Sequence, residues 1–136
     1  MKKNIIFGLV ILLAILAVSS CSIFGVGTSM SDRISSFEDD LNGSRANIFD
    51  NIHPEANASK TLDDTYWETG IWVSGDKPFS ITNKVEGSSS ITAVFNSTGG
   101  TLTDASVSFE MKDDGDFFSG ENWKIWSCTV DGKTQF

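Results

Sequence analysis

Few side chains in this chain are equipped for chemistry. It contains one histidine, His53, one tyrosine, Tyr66, and two cysteines, Cys21 and Cys128. Acid–base catalysis would need a carboxylate of raised pKa facing an oxyanion donor in a dry cavity, with Asp63, Asp64, Asp104 and His53 as the candidates. His53 stands directly before Pro54 and reads as a helix-terminating residue with a structural role. Tyr66 precedes Trp67 with no Asp at a recognisable spacing. One histidine and one available thiol do not make a zinc site. The run Asp113-Asp114-Gly115-Asp116 offers carboxylate oxygens but lacks the spacing and closing Glu of a calcium loop, so it reads as a hairpin turn. No glycine-rich phosphate loop follows a strand, and no G-x-S-x-G elbow occurs. The expectation is a protein without metal or cofactor that binds and does not catalyse.

The most informative cysteine is the first. Met1-Lys2-Lys3-Asn4 is a short positive segment, and Ile5 to Val18 is apolar apart from Gly8. Those 14 residues fall short of the ~20 that cross a bilayer, but they suit the core of a signal peptide. Val18-Ser19-Ser20-Cys21 then resembles the lipobox of bacterial lipoproteins. That resemblance implies a diacylglycerol on the Cys21 thiol, cleavage of the bond before it, and acylation of the new amino group by a fatty acid such as palmitate. Two or three chains, at about 0.8 kcal/mol per buried CH2, hold a protein on a membrane where one chain does so marginally. The expected organisation is a cleaved signal peptide over 1–20, a lipidated tether over 21–28 and one α+β domain over 29–136. The expected location is the bacterial cell envelope, with the inner or outer membrane left open.

Cysteine and charge accounting follow from this. With Cys21 lipidated, Cys128 has no partner, and within "KIWSCTV" it reads as a small buried residue. A Cys21–Cys128 disulfide is the disfavoured alternative. From Cys21 onward the chain holds 8 Lys and Arg against 18 Asp and Glu, a balance of −10, since Lys2 and Lys3 lie before it. The basic residues are scattered singly, which argues against a nucleic-acid partner. Ser22 to Thr28 reaches about 23 Å when fully extended, which keeps the domain close to the membrane.

These residues need elements to position them. Met30, Ile34, Phe37 and Leu41 share one face of a helix predicted over 29–42, capped by Ser29 or Ser31 and stopped at Asn42-Gly43. Glu38, Asp39 and Asp40 fall largely off that stripe and read as a solvated face. A second short helix is predicted over 44–52, with Ile48, Phe49 and Ile52 as its apolar edge, and a further turn or helix over 56–65. Strands are predicted over 66–73, 79–85, 90–96, 102–112 and 123–130, separated by Gly- and Asp-rich turns. Ala105, Val107, Phe109 and Met111 alternate; Leu102 is out of phase with them, which predicts a bulge near Thr103-Asp104.

Two stretches, "RISSFEDDLNGSRANIFDNIHPEA" and "ENWKIWSCTVDG", resemble the opening helical pair and closing strand of the cystatin-like superfamily, in particular nuclear-transport-factor-2-like domains. The resemblance implies N-terminal helices packed on a strongly bent antiparallel sheet of about four to five strands. It also implies a cone-shaped pocket, with Trp67, Trp72, Phe95, Phe109 and Trp123 as candidate lining. Plain core packing is the competing reading for each of these aromatics. Enzymes of that superfamily use an inward Asp–His or Asp–Tyr pair, a pattern from which this chain departs. The expected function is a non-catalytic module, anchored to the membrane by its lipid, that binds a small apolar ligand or another envelope protein. An isomerase- or hydrolase-type enzyme using the same pocket is one alternative, and a structural or antigenic surface protein without a pocket is another.

Overall fold

The computed structural model describes residues 27–56 and 62–136. The signal peptide expected over 1–20, Cys21 and most of the expected tether, up to residue 26, lie outside the described residues, as does the middle of the turn expected over 56–65.

The first helix, α1, spans Met30–Asn42. Ser29 caps it, its Oγ accepting from the Asp32 backbone N–H at 3.1 Å, and the Gly43 N–H closes the last turn on the Asp39 carbonyl at 2.8 Å. Its buried residues are Met30, Ile34, Phe37 and Leu41, the four that share one face by spacing. The second helix expected over 44–52 is absent from its place. Arg45 adopts a left-handed φ of 63°, and the chain makes only a 3₁₀ turn over Ile48–Asn51. Ile48 and Ile52 are still buried, so the apolar edge was legible although the helix was not. Thus one main helix stands where N-terminal helices were expected.

The strand expected over 66–73 is also replaced, by 3₁₀ turns over Tyr66–Glu68, Gly70–Trp72 and Ser74–Asp76. The reason is geometric. Trp67 and Trp72 are both buried, yet they are five residues apart, and an odd separation puts two strand residues on opposite faces. A coiled path lets both rings enter one core.

The remaining strands are β1 (Phe79–Glu86), β2 (Ser90–Ser97), β3 (Ala105–Asp113), β4 (Trp123–Val130) and β5 (Lys133–Thr134). They form one antiparallel sheet in the order β1-β2-β3-β4-β5, a plain meander. With α1 across one face, the class is α+β. The fifth strand is not one of those expected. Asp131 and Gly132, with φ of 47° and 75°, form the tight turn that returns the chain after β4. The return drops Phe136 into the core. Residues 102–104 are not strand; Asp104 is left-handed and β3 starts at Ala105. Register shifts fall instead between Thr82 and Val85 and between Glu110 and Met111.

The first half of β1 and parts of β4 are covered along the sheet's edges. Along β1, the Asn42 side chain exchanges two hydrogen bonds with the Phe79 backbone, at 2.7 and 2.9 Å, and Glu38 accepts from the Ile81 N–H at 3.1 Å. Along β4, the His53 N–H donates to the Ile125 carbonyl at 2.9 Å, and the Trp123 N–H donates to the Thr28 carbonyl at 3.2 Å. Backbone groups that would template association are thereby occupied.

Candidate functional site

Four of the five aromatic residues expected to line a pocket come together, and they do so around Phe37 of α1. Phe37 packs edge-on against Trp67 at 5.8 Å, Trp72 at 6.0 Å and Phe109 at 6.0 Å between ring centroids. Trp67 and Trp72 meet at 5.5 Å, and Trp72 meets Phe95 at 5.6 Å. These pairs of Phe37 and the Trp67–Trp72 pair are edge-to-face and add to the apolar burial of each ring, while Trp72 and Phe95 are tilted at 39°. All four rings are buried. Trp123 stands apart and half-buried at the start of β4, with its Nε1 donating to Glu121 at 3.0 Å.

His53, Asp63 and Tyr66 are placed separately and are held by structural bonds. His53 is buried; its Nδ1 accepts from the Glu55 N–H at 3.2 Å, capping the helical turn that begins at Pro54. Its Nε2 lies 3.7 Å from Asp114, and its ring meets Trp126 edge-on at 5.3 Å. Asp63 Oδ1 accepts from the Thr65 hydroxyl and from the Tyr66 and Thr65 N–H groups, which hold its carboxyl below the usual range. Tyr66 donates its hydroxyl to the Gln135 carbonyl at 2.7 Å and accepts from Trp72 Nε1 at 3.3 Å, and burial raises its pKa. Asp104 is exposed at the β2–β3 turn. Cys128 is fully buried and free, and burial pushes its thiol far up. Among the described residues no group of three or more His, Cys, Asp or Glu is placed to hold a metal.

The arrangement that sequence reasoning missed centres on Arg45. A surface depression of about 460 Å³ is lined by Ser44, Arg45, Ala46, Asp64, Trp67 and Glu68. The left-handed backbone at Arg45 turns its side chain back under the end of α1. There Nε donates to the Leu41 carbonyl at 3.0 Å, and Nη1 donates to the Trp67 carbonyl and to Glu68 Oε1, the latter at 3.1 Å. A cation at a helix C-terminus is favoured by the exposed carbonyls and the helix dipole. Burial lowers the guanidinium pKa and Glu68 opposes that shift. Two buried donors, Arg45 Nη2 and Trp67 Nε1, have no hydrogen-bond partner. Such donors call for an acceptor oxygen. An Arg within a predicted helix reads as exposed, so nothing in the sequence marked it.

Comparison with protein-family models, curated proteins and solved structures returns no match. The functional reading therefore rests on the residues themselves. Among the described residues no helix is long and apolar enough to cross a membrane.

A second depression, of about 540 Å³, lies over the sheet and is lined by Ser89, Ser90, Glu110, Met111, Lys112 and Trp126. Lys112 Nζ sits 4.5 Å above the Trp126 ring and 2.8 Å from Glu55, so its charge is already neutralised.

Proposed function

We propose that the chain is a membrane-anchored envelope lipoprotein of bacteria whose single α+β domain is a non-catalytic binding module. The observation that carries the reading is Val18-Ser19-Ser20-Cys21 at the end of a 14-residue apolar run that follows two lysines. In this reading the membrane is engaged through the lipid on Cys21, and no nucleic acid is involved. One long helix lying across an antiparallel meander supports a cystatin-like arrangement of the domain. The structural employment of His53, Asp63, Tyr66 and Cys128 supports binding without chemistry. The binding surface we put forward is the depression lined by Ser44, Arg45, Ala46, Asp64, Trp67 and Glu68, open to a small molecule or to another envelope protein.

The mutual packing of Trp67, Trp72, Phe95 and Phe109 favours one further reading, a structural surface protein without an internal pocket. Native mass spectrometry of protein taken from membranes separates the two, because a binding module carries a co-purifying mass that Arg45→Ala removes. The anchor itself is tested with Cys21→Ser, which should leave an unprocessed precursor and abolish incorporation of a clickable fatty acid. Incorporation that persists in Cys21→Ser would show that the anchor lies elsewhere or does not exist.

A further inference from the structure

The exposed large hydrophobic residues among those described are Phe117, Phe118 and Val85, at 86 %, 77 % and 64 % exposure. Their placement is not scattered. An antiparallel meander puts the β1–β2 turn and the β3–β4 loop at one end of the sheet and the other two turns at the opposite end. Val85 is the penultimate residue of β1, and Phe117 and Phe118 form the tip of the β3–β4 loop, so all three belong to the same end.

The tip is a built feature. Asp116 Oδ1 accepts from the Phe118 N–H at 2.9 Å, the Ser119 N–H at 2.7 Å and the Ser119 hydroxyl at 2.9 Å. The Asp116 N–H donates in return to Ser119 Oγ at 3.1 Å, and the Gly120 N–H donates to the Asp116 carbonyl at 3.1 Å. At the base, Asp113 Oδ1 accepts from the Gly115 and Asn122 N–H groups at 2.9 and 2.8 Å. The loop satisfies much of its own backbone and holds two phenyl rings outward, edge to face at 5.4 Å. Backbone bonded internally is what a segment needs if it is to leave water for an apolar phase.

The chain enters the domain at this same place. A Cβ on Gly27 would lie 2.2 Å from the Glu121 carbonyl oxygen, so the backbone passes directly against the loop. Thr28 pairs with Asn122. Cys21 precedes Gly27 by six residues, a covalent reach of about 20 Å. A lipid on Cys21 therefore ties this end of the sheet, and not the opposite one, to the bilayer surface.

We propose that the Phe117–Phe118 tip is a second membrane contact, inserting into the interfacial layer of the bilayer that holds the Cys21 lipid and setting the domain with this end of the sheet down. The inference rests on the lipoprotein reading. The surface that fits the tip is a zwitterionic lipid bilayer, because residues 113–121 hold Asp113, Asp114, Asp116 and Glu121 and no base, which disfavours anionic headgroups. Two aromatic rings add apolar insertion to the acyl anchor and turn a tether into an orientation.

The test uses full-length, lipidated protein in phosphatidylcholine vesicles, with a nitroxide on Phe118→Cys or, at the opposite end, on Thr101→Cys. Cys128 is buried, so the parent protein serves as the unlabelled control. The label at 118 should be shielded from a water-soluble nickel chelate and accessible to oxygen, and the label at 101 should show the reverse. Equal exposure of the two labels to the chelate, on protein that carries diacylglycerol by mass and floats with vesicles, overturns the tip contact and leaves the lipoprotein reading standing. Spin–spin broadening at 118 would place a second copy on the tip and also overturns it. A mass without lipid, with no flotation, removes the anchor and this proposal together.

Discussion

Arg45 ties together parts of the chain that the backbone alone would leave independent. Its guanidinium closes α1 on the Leu41 carbonyl and joins it to Trp67 and Glu68 across 22 and 23 residues of sequence. Hydrogen bonds to a charged group contribute roughly 1.5–3 kcal/mol when buried. Arg45→Ala should therefore lower the urea midpoint by an amount equivalent to ~2–3 kcal/mol at unchanged m, and Arg45→Lys, without the planar fork, should recover little of it. An unaltered midpoint in Arg45→Ala would mean that the guanidinium ties nothing. Cys128 gives a prediction with a sign. Burial raises its pKa in the folded state, so the folded thiol stays protonated where the unfolded one, near 8.5, ionises. The unfolded chain then binds fewer protons, and stability falls as pH rises above ~8.5 by up to about 1.4 kcal/mol per unit. Cys128→Ala, which cannot ionise, should lack that component. Parallel pH profiles for the two proteins would contradict the burial of an unpaired thiol.

At the scale of elements, legibility followed the length of the periodic signal. The helix over Met30–Asn42 repeats its apolar residues across four turns, and β3 alternates Ala105, Val107, Phe109 and Met111, so period and burial agree in both. The segments misread were short ones in which tertiary contacts decide. A bonded Arg45 overrides the helical pattern of 44–52, and two core tryptophans five apart override the strand propensity of 66–73. Of the residues lining the Arg45 depression, only Trp67 and Asp64 were marked by the sequence. Its polar half depends on the left-handed turn at Arg45, which no local pattern announces. Edge protection was equally hidden, since Asn42 looked like a helix stop and also pairs with Phe79 of β1. Asn42→Ala leaves that N–H and carbonyl unpartnered and should cost about 1–2 kcal/mol in urea unfolding, with faster amide exchange at Phe79. Unchanged exchange at Phe79 would show that the edge is closed by something else. Asp116→Ala should accelerate exchange at Phe118 and Ser119 while leaving the strands protected, because the Asp116 carboxylate accepts from both of those N–H groups and from none in a strand.

For the whole molecule, the proposed address, anchor and orientation act together. From Cys21 onward the chain carries a balance of −10, so charge alone does not draw it to an anionic surface. In the proposed reading, acyl chains and the phenyl tip supply the attraction. Replacing part of the phosphatidylcholine by phosphatidylglycerol should therefore expose a label at 118 progressively without releasing the protein from the vesicle. Protection that grows with anionic lipid would contradict an apolar, charge-opposed contact. Everything at this scale depends on Cys21 becoming the first residue of the mature chain. The direct measurement is the intact mass and N-terminal fragment spectrum of the protein isolated from bacterial membranes. The expected species is a chain beginning at Cys21 with diacylglycerol on its thiol; a chain beginning at any other residue, or a Cys21 without lipid, would overturn the lipoprotein proposal.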